Sequence, residues 1–310
     1  MVPGVDLGRR RFEGRCPLLR WHPLAGLGGL RWCREPVLVR QGVPFFHDKS
    51  AAEFSADVYE RYDALVTRQT GLHLADELHG GYPFQELLDY VTTWLPGGEQ
   101  LSAVDVGCSV GRLAAEMAMH NPTWSVAGID LSYQMLRQAN DYWVKGLALQ
   151  PNLMKFGFGS PTLRAPEVFT PAADADSSRL QFALAKAEDL PLADASLDVV
   201  LNTFLIDRLP NPYAAFPEFW RVLKPGGRLI TVTPLNFLTP DGWREAYPPI
   251  KILQRLQQAG WLVLDWTDPL VLEEPMDIRG NAVCWSCVAF VLQRGSTTEP
   301  TTSLNHYHGT

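Results

Sequence analysis

Apolar residues recur at helical spacing through Phe84, Leu87, Leu88, Val91, Trp94 and Leu95, and a Pro-Gly-Gly run at 96–98 stops them. That spacing predicts an amphipathic helix with its own stop signal. The period then changes. LSAVDV, 101–106, is a short apolar run that reads as a buried strand. Small residues follow, then a helical pattern over 112–119 with Leu113 and Met117 on one face. The alternation repeats. SVAGID (125–130) predicts a second strand, and Ser132 can cap the helix YQMLRQAN that follows it. LQFALA (180–185) and LDVVLN (197–202) predict strands three and four. YAAFPEFWRVL predicts a helix closed by KPGG (224–227), where Gly226 or Gly227 is free to take a left-handed cap. RLITVTP predicts strand five, IKILQRLQQAG a helix, and WLVLDW and VCWSCVAFVLQ the last two strands.

Strands alternating with helices imply βαβ units and a mostly parallel sheet. The final two strands have no helix between them, so they should pair antiparallel, or flank one another, through the loop 267–282. Composition divides the chain further. Residues 1–50 are rich in Gly, Pro, Arg and Trp without a clear period, 51–294 carry the alternation, and the polar stretch 295–310 reads as a disordered tail.

The chain has 310 residues and a formal net charge of −7, which argues against a nucleic-acid partner. Five cysteines are too few for a disulfide framework in a chain of this length, so reduced thiols and a cytoplasmic location are expected. No signal peptide and no apolar run long enough to span a bilayer is visible.

Chemistry concentrates where strand one stops, at VDVGCSVGR (104–112). Gly107 and Gly111 would let a ligand approach the backbone, and the following helix offers free N–H groups. Asp130 ends the second strand, 25 residues after Asp105, where a carboxylate can accept from two ribose hydroxyls. The glycines are four apart and an acid lies beside them, unlike the dinucleotide pattern G-x-G-x-x-G. An acid there suits a ligand bearing an ammonium or sulfonium.

VDVGCSVGR resembles motif I of class I S-adenosylmethionine-dependent methyltransferases, with Ser109 where a glycine is common. GIDLSYQML, AEDLPLADASLDVVL and FWRVLKPGGRLITVTP resemble three further motifs of that family in the expected order. The resemblance implies a Rossmann-like α/β fold: a seven-stranded, mostly parallel sheet with one antiparallel strand and helices on both faces. It implies S-adenosyl-L-methionine as cofactor. Asp105, Gly107, Cys108, Ser109 and Gly111 would flank its methionine part, and Asp130 its ribose. Leu131, Ala187 and Glu188 would lie about the adenine, with Asn202 also lining the site. Lys186 stands where many relatives have an acid, and a lysine cannot accept a bond from the adenine amino group.

LIDRL (205–209), TPLNFLTPDGW and DPLVLEEPMDIRGNAVCWSCVAFVLQ resemble the C-terminal methyltransferase domain of ovothiol-synthesising enzymes, over residues 55–292. That resemblance implies N-methylation of a small, amino-acid-like or imidazole-containing acceptor. Asn202 and Asp207 would lie at the end of strand four as catalytic residues, with Tyr62 on a lid helix within DVYERYDALV beside Tyr59. Asp207 could hold a cationic amine or act as a base; its alternatives are a helix cap or a salt bridge with Arg208. Phe237 and Trp243, after strand five, are further aromatic candidates for the acceptor side, with core packing as the alternative.

Residues 15–48 resemble a zinc ribbon that has lost ligands: Cys16 and Cys33 remain, but Leu19 and Pro36 fill the partner positions, and His22 does not complete a site. Cys284 and Cys287 of CWSC should point to opposite faces of a strand, so no metal is expected there. The segment 1–50 is then a substrate-side lid, a dimer contact or a packed relic. Two other functions remain open: a methyltransferase for a peptide or RNA, and a catalytically silent scaffold subunit. No membrane association is expected, and the oligomeric state is not readable.

Overall fold

The computed structural model describes residues 38–47, 63–148, 179–277 and 280–296. The ribbon-like residues Cys16, Leu19, His22, Cys33 and Pro36, the tyrosines Tyr59 and Tyr62, and most of the tail lie outside the described residues.

In chain order the described elements are β1 Leu38–Arg40, β2 Val43–Phe45, α1 Asp63–Leu74, α2 Asp76–His79, α3 Gln85–Trp94, β3 Ser102–Val106, α4 Arg112–His120, β4 Ser125–Asp130, α5 Tyr133–Ala139, β5 Leu180–Leu184, β6 Leu197–Thr203, α6 Phe216–Val222, β7 Leu223–Thr233, α7 Pro240–Ala246, α8 Ile250–Gln258, β8 Leu262–Pro275 and β9 Ala282–Gln293. The strands form one sheet in the order β1-β2-β5-β4-β3-β6-β7-β9-β8. β2 through β7 run parallel, and β9 is antiparallel to both β7 and β8. This is the mostly parallel, Rossmann-like methyltransferase sheet that the resemblance implies, with β3 central.

β3 is buried at all five positions, Ser102 and Asp105 included, as expected for a central strand covered on both faces. Alternate residues of each strand feed two cores. On β6, Val199 and Leu201 pack beside Leu87 and Val91 of α3, Leu113 and Met117 of α4, and Leu136 of α5. Leu197 and Val200 pack on the other face beside Phe216 and Phe219 of α6 and Ile252 and Leu256 of α8. The four-residue spacing of Ile252 and Leu256 places both on one stripe of α8.

Three features differ from the sequence expectation. First, the sheet has nine strands among the described residues rather than seven. The added pair comes from within 1–50: Gln41 and Gly42 have φ of 51° and 91° and close a two-residue hairpin, since two consecutive positive φ values match the twist of its strands. This hairpin sits on the β5 edge. Phe45 pairs with Leu184, Phe46 N–H donates to Leu184 O at 2.7 Å, and Tyr133 Oη donates to Gln41 Oε1 at 2.9 Å. Secondly, KPGG is part of β7 rather than a helix cap. The helix has already ended at Val222, and Gly226, at φ 82°, lies in an irregularity between β6 and β7. Thirdly, most of the expected loop 267–282 is strand. Thr233 at the end of β7 pairs with Val288, so Ala282–Cys287 of β9 and Leu270–Pro275 of β8 project past the carboxyl edge of the sheet as a two-stranded overhang. That edge is where ligands bind in open α/β sheets.

Candidate functional site

The turn after β3 is held by backbone bonds. Gly107 N–H and Cys108 N–H both donate to Ile129 O, at 2.7 and 3.1 Å, and Gly111 N–H donates to Cys108 O at 2.8 Å. Asp130, at the end of β4, clamps the turn from the side. Its Oδ2 accepts from Ser109 N–H at 2.9 Å and its Oδ1 from Ser132 N–H at 2.8 Å. Ser109 takes a φ of 51°, a left-handed conformation that favours glycine. The bond to Asp130 helps hold it there, which explains how serine serves at a position where relatives often have glycine.

The two glycines differ in what their missing side chains make room for. A Cβ on Gly107 (φ 84°) would find the Leu205 side chain as its nearest neighbour, at 3.3 Å. A Cβ on Gly111 (φ 80°) would lie 2.5 Å from the Phe182 ring and 3.1 Å from Ala139. The hollow at Gly111 is therefore filled by the protein itself, and this glycine serves helix-to-strand packing rather than ligand approach.

Asp105 is buried, and its Oδ1 has no hydrogen-bond partner. Burial, reinforced by the charge of Asp130, pushes its carboxyl up to about 8, against the Ala114 N–H, which favours the charged form. Burial likewise raises the Cys108 thiol well above the ordinary range, leaving it a packing residue. Leu131 stands exposed beside Asp130. Ala185 N–H donates to Asp130 O at 3.2 Å, tying the end of β4 to the tight turn Lys186–Asp189. In that turn Ala187 is buried while Lys186 and Glu188 face outward. The residues assigned to the methionine, ribose and adenine parts of a cofactor thus line consecutive carboxyl ends of β3, β4 and β5.

Asn202 and Asp207 are both fully buried. Asn202 Nδ2 donates to Thr231 Oγ1 at 2.8 Å, and Asp207 pairs with Arg208 at 2.9 Å, the salt bridge the sequence offered as its alternative. Burial raises the Asp207 carboxyl, with Arg208 and Thr233 opposing. Asn202 Oδ1 and Asp207 Oδ1 have no partner. These side chains are enclosed at the β6–β7 junction and do not line an open crevice in this state. Phe237 is buried against Trp243, ring centroids 5.5 Å apart, in the core that includes α6 and α8. Trp243 itself is partly exposed and donates from Nε1 to Phe237 O at 3.0 Å.

Sequence reasoning missed the aromatic arc above the carboxyl ends. Phe204, directly after β6, has a φ of 55°, a strained value for a bulky residue. Its ring meets Phe84 at 6.3 Å and Trp285 of the overhang at 6.0 Å. Trp285 Nε1 donates to Glu274 Oε2 at 2.8 Å, and the other oxygen of Glu274 pairs with Arg68 of α1. His73, buried, lies against Phe84, with Nδ1 2.9 Å from Tyr82 Oη and Nε2 3.0 Å from Gln69 Oε1. Burial, with the Arg112 charge, lowers its pKa to about 4, so the ring is neutral at physiological pH. One available signal was Phe204, the first residue beyond strand four; in CWSC the tryptophan, not the cysteines, was the informative letter. Cys284 is exposed and Cys287 buried. Among the described residues no His, Cys, Asp and Glu cluster could hold a metal ion, and no helix is long and apolar enough to cross a membrane.

Comparison with known proteins agrees with this layout. Residues 164–231 match the methyltransferase-domain family Methyltransf_11. The 27-O-demethylrifamycin SV methyltransferase of Amycolatopsis mediterranei is 31% identical over 56% of this chain and 56% of its own length. A ubiquinone/menaquinone biosynthesis C-methyltransferase of Geotalea daltonii is 30% identical over 47% of this chain and 48% of its own. The chain thus spans about half the length of these curated relatives. Among solved structures, a chain of the Haloferax volcanii complex containing the Trm112 methyltransferase activator shares the fold, with a TM-score of 0.51 and 17% identity over 78% of this chain and 99% of that one. Strand order, the clamped glycine turn, the carboxylate ending β4 and the match over residues 164–231 converge on one arrangement: the chain has the Rossmann-like methyltransferase fold and is similar to S-adenosylmethionine-dependent methyltransferases.

Proposed function

We propose that this protein transfers a methyl group from S-adenosylmethionine to a small acceptor that is amino-acid-like or carries an imidazole, and that it does so at nitrogen. The observation that carries the cofactor half is the Asp130 clamp. Both Asp130 oxygens accept from backbone N–H groups, which fixes the carboxylate at the end of β4, where a ribose would be met. The residues fit the cofactor. Gly107 brings no side chain to the turn, the exposed Leu131 offers an apolar surface for adenine, and the unpartnered oxygen of Asp105 suits a cationic group. When bound, S-adenosylmethionine supplies an electrophilic methyl group for direct displacement.

The rest is done by this chain's residues. Phe204 and Trp285 offer ring faces and edges against which a flat acceptor can lie. The Arg68–Glu274 pair puts one charge of each sign on the same wall, which suits a zwitterionic acceptor. A neutral imidazole nitrogen is already a nucleophile. Orientation and proximity are then the main requirement, and effective molarities from alignment alone can supply much of the rate. The enclosed Asn202 and Asp207 keep the end of β6 in place beneath Phe204. The named relatives include an O-methyltransferase and a C-methyltransferase, so the choice of nitrogen rests on the ovothiol-type resemblance.

Calorimetry with S-adenosylhomocysteine, followed by transfer of a labelled methyl group to histidine and thiohistidine, tests the proposal. Binding of the nucleoside and label in the imidazole products are expected. Binding with label only in total RNA or in a peptide would move the acceptor to those classes. No binding at all would leave the silent scaffold.

A further inference from the structure

We infer that Arg112 is a positioning residue: it latches helices α1 and α2 to the glycine turn, so that filling the cofactor site fixes the wall of the acceptor site. The inference rests on the methyltransferase reading above.

Arg112 is the first residue of α4 and directly follows Gly111, the left-handed residue that ends the turn. Its side chain points away from the turn and is mostly buried. Nε donates to Glu116 Oε1 at 2.7 Å, one terminal nitrogen donates to Asp76 Oδ1 at 2.8 Å and to His73 O at 2.9 Å, and the other donates to Asp76 Oδ2 at 3.0 Å. The guanidinium also lies over the Tyr82 ring, 4.2 Å from its centroid. One side chain thus gathers a carbonyl in the last turn of α1, the first residue of α2, and the tyrosine that precedes α3.

The placement is unfavourable for α4 by itself. A cation at a helix N-terminus opposes the helix dipole, and the first turn of α4 holds no acid. The same guanidinium is favourable for α1, because it satisfies a C-terminal carbonyl that lacks an intrahelical donor. The two-pronged bond to Asp76 needs a planar fork that lysine does not have. From this latch the contacts run on to the acceptor side: His73 and Tyr82 meet Phe84, and Phe84 meets Phe204. At its other end α1 is held by the pair from Arg68 to Glu274 on the overhang. The helix therefore bridges the cofactor turn and the acceptor wall, and Arg112 is its joint at the turn.

Hydrogen exchange of the full chain, with and without S-adenosylhomocysteine, tests the latch in wild type, Arg112→Lys and Asp76→Asn. Saturating wild type is expected to slow exchange across residues 63–79 by tenfold or more. In both variants that ratio should fall below twofold, while the calorimetric Kd for S-adenosylhomocysteine stays within fivefold of wild type. A merely structural role predicts faster exchange with and without the nucleoside, with the ratio kept; that result, in either variant, overturns the latch. Absence of nucleoside binding by wild type is a separate outcome: it overturns the methyltransferase reading, and the latch with it.

Discussion

The cofactor side and the acceptor side of this molecule are built by different means. The proposed cofactor side is made of backbone: the N–H groups of Gly107, Cys108, Ser109 and Ser132, fixed by one carboxylate and one carbonyl, all within residues 102–139. The acceptor wall we propose is made of side chains, and Arg68, Phe84, Phe204, Glu274 and Trp285 come from five separate segments. A ligand shared by many enzymes can be held by main-chain groups that any sequence supplies, given small residues at fixed intervals. A ligand particular to one enzyme must be met by side chains, and those are free to come from anywhere the fold brings together.

Substitutions should therefore separate the two sides. The largest effect is expected from Asp130→Ala, which removes two charge-assisted bonds of about 1.5–3 kcal/mol each. Affinity for S-adenosylhomocysteine should fall by more than about a hundredfold by calorimetry, and a change under tenfold would show that the turn holds without its clamp. Next comes Trp285→Ala. It should raise the acceptor KM by about tenfold, roughly the worth of one aromatic contact, with cofactor affinity unchanged. A parallel loss of cofactor affinity would mean that the two sides are not separable at this residue.

The smallest effect concerns protons. Asp105 titrates near 8 in the folded protein and near its ordinary value when unfolded. Because the folded value is the higher one, the folded state binds the extra proton. The ligand-free protein should therefore lose stability as pH rises from about 4 through 8, and Asp105→Asn should flatten that slope. A cationic group beside Asp105 favours the carboxylate. Binding of S-adenosylhomocysteine at pH 7 should thus release at most about one proton, read from calorimetry in buffers of different ionisation enthalpy. No release from wild type would place the cofactor's ammonium away from Asp105.

The same division explains what could be read from the chain. Strands β3, β4 and β6 and helices α3, α4 and α8 follow from apolar spacing because burial alone decides them. The hairpin at 38–45 did not, since three-residue strands carry no period and the Gln41–Gly42 turn is a weak signal. The length of β8 was missed because Asp268 and Pro269 interrupt its pattern, and the ladder simply shifts register there and resumes at Leu270. At the site, Asp130 was readable from its place at a strand end. Arg112 was not: it looks like any helix-surface cation until Asp76, 36 residues earlier, is brought beside it. The enclosure of Asp207 was equally hidden, because no pattern in NTFLIDRL says which way its carboxylate turns.

One side chain has a bearing on how such sequences change over time. The Phe182 ring lies where a Cβ on either Gly111 or Gly128 would come, at 2.5 Å in each case. Two glycines on different segments thus share one neighbour. A smaller residue at 182 would still release neither, because Gly111 keeps its left-handed φ and lies near Ala139, while a Cβ on Gly128 would come 2.9 Å from Cys108 Sγ; the last letter of the motif is therefore fixed by backbone shape and by more than one neighbour at once.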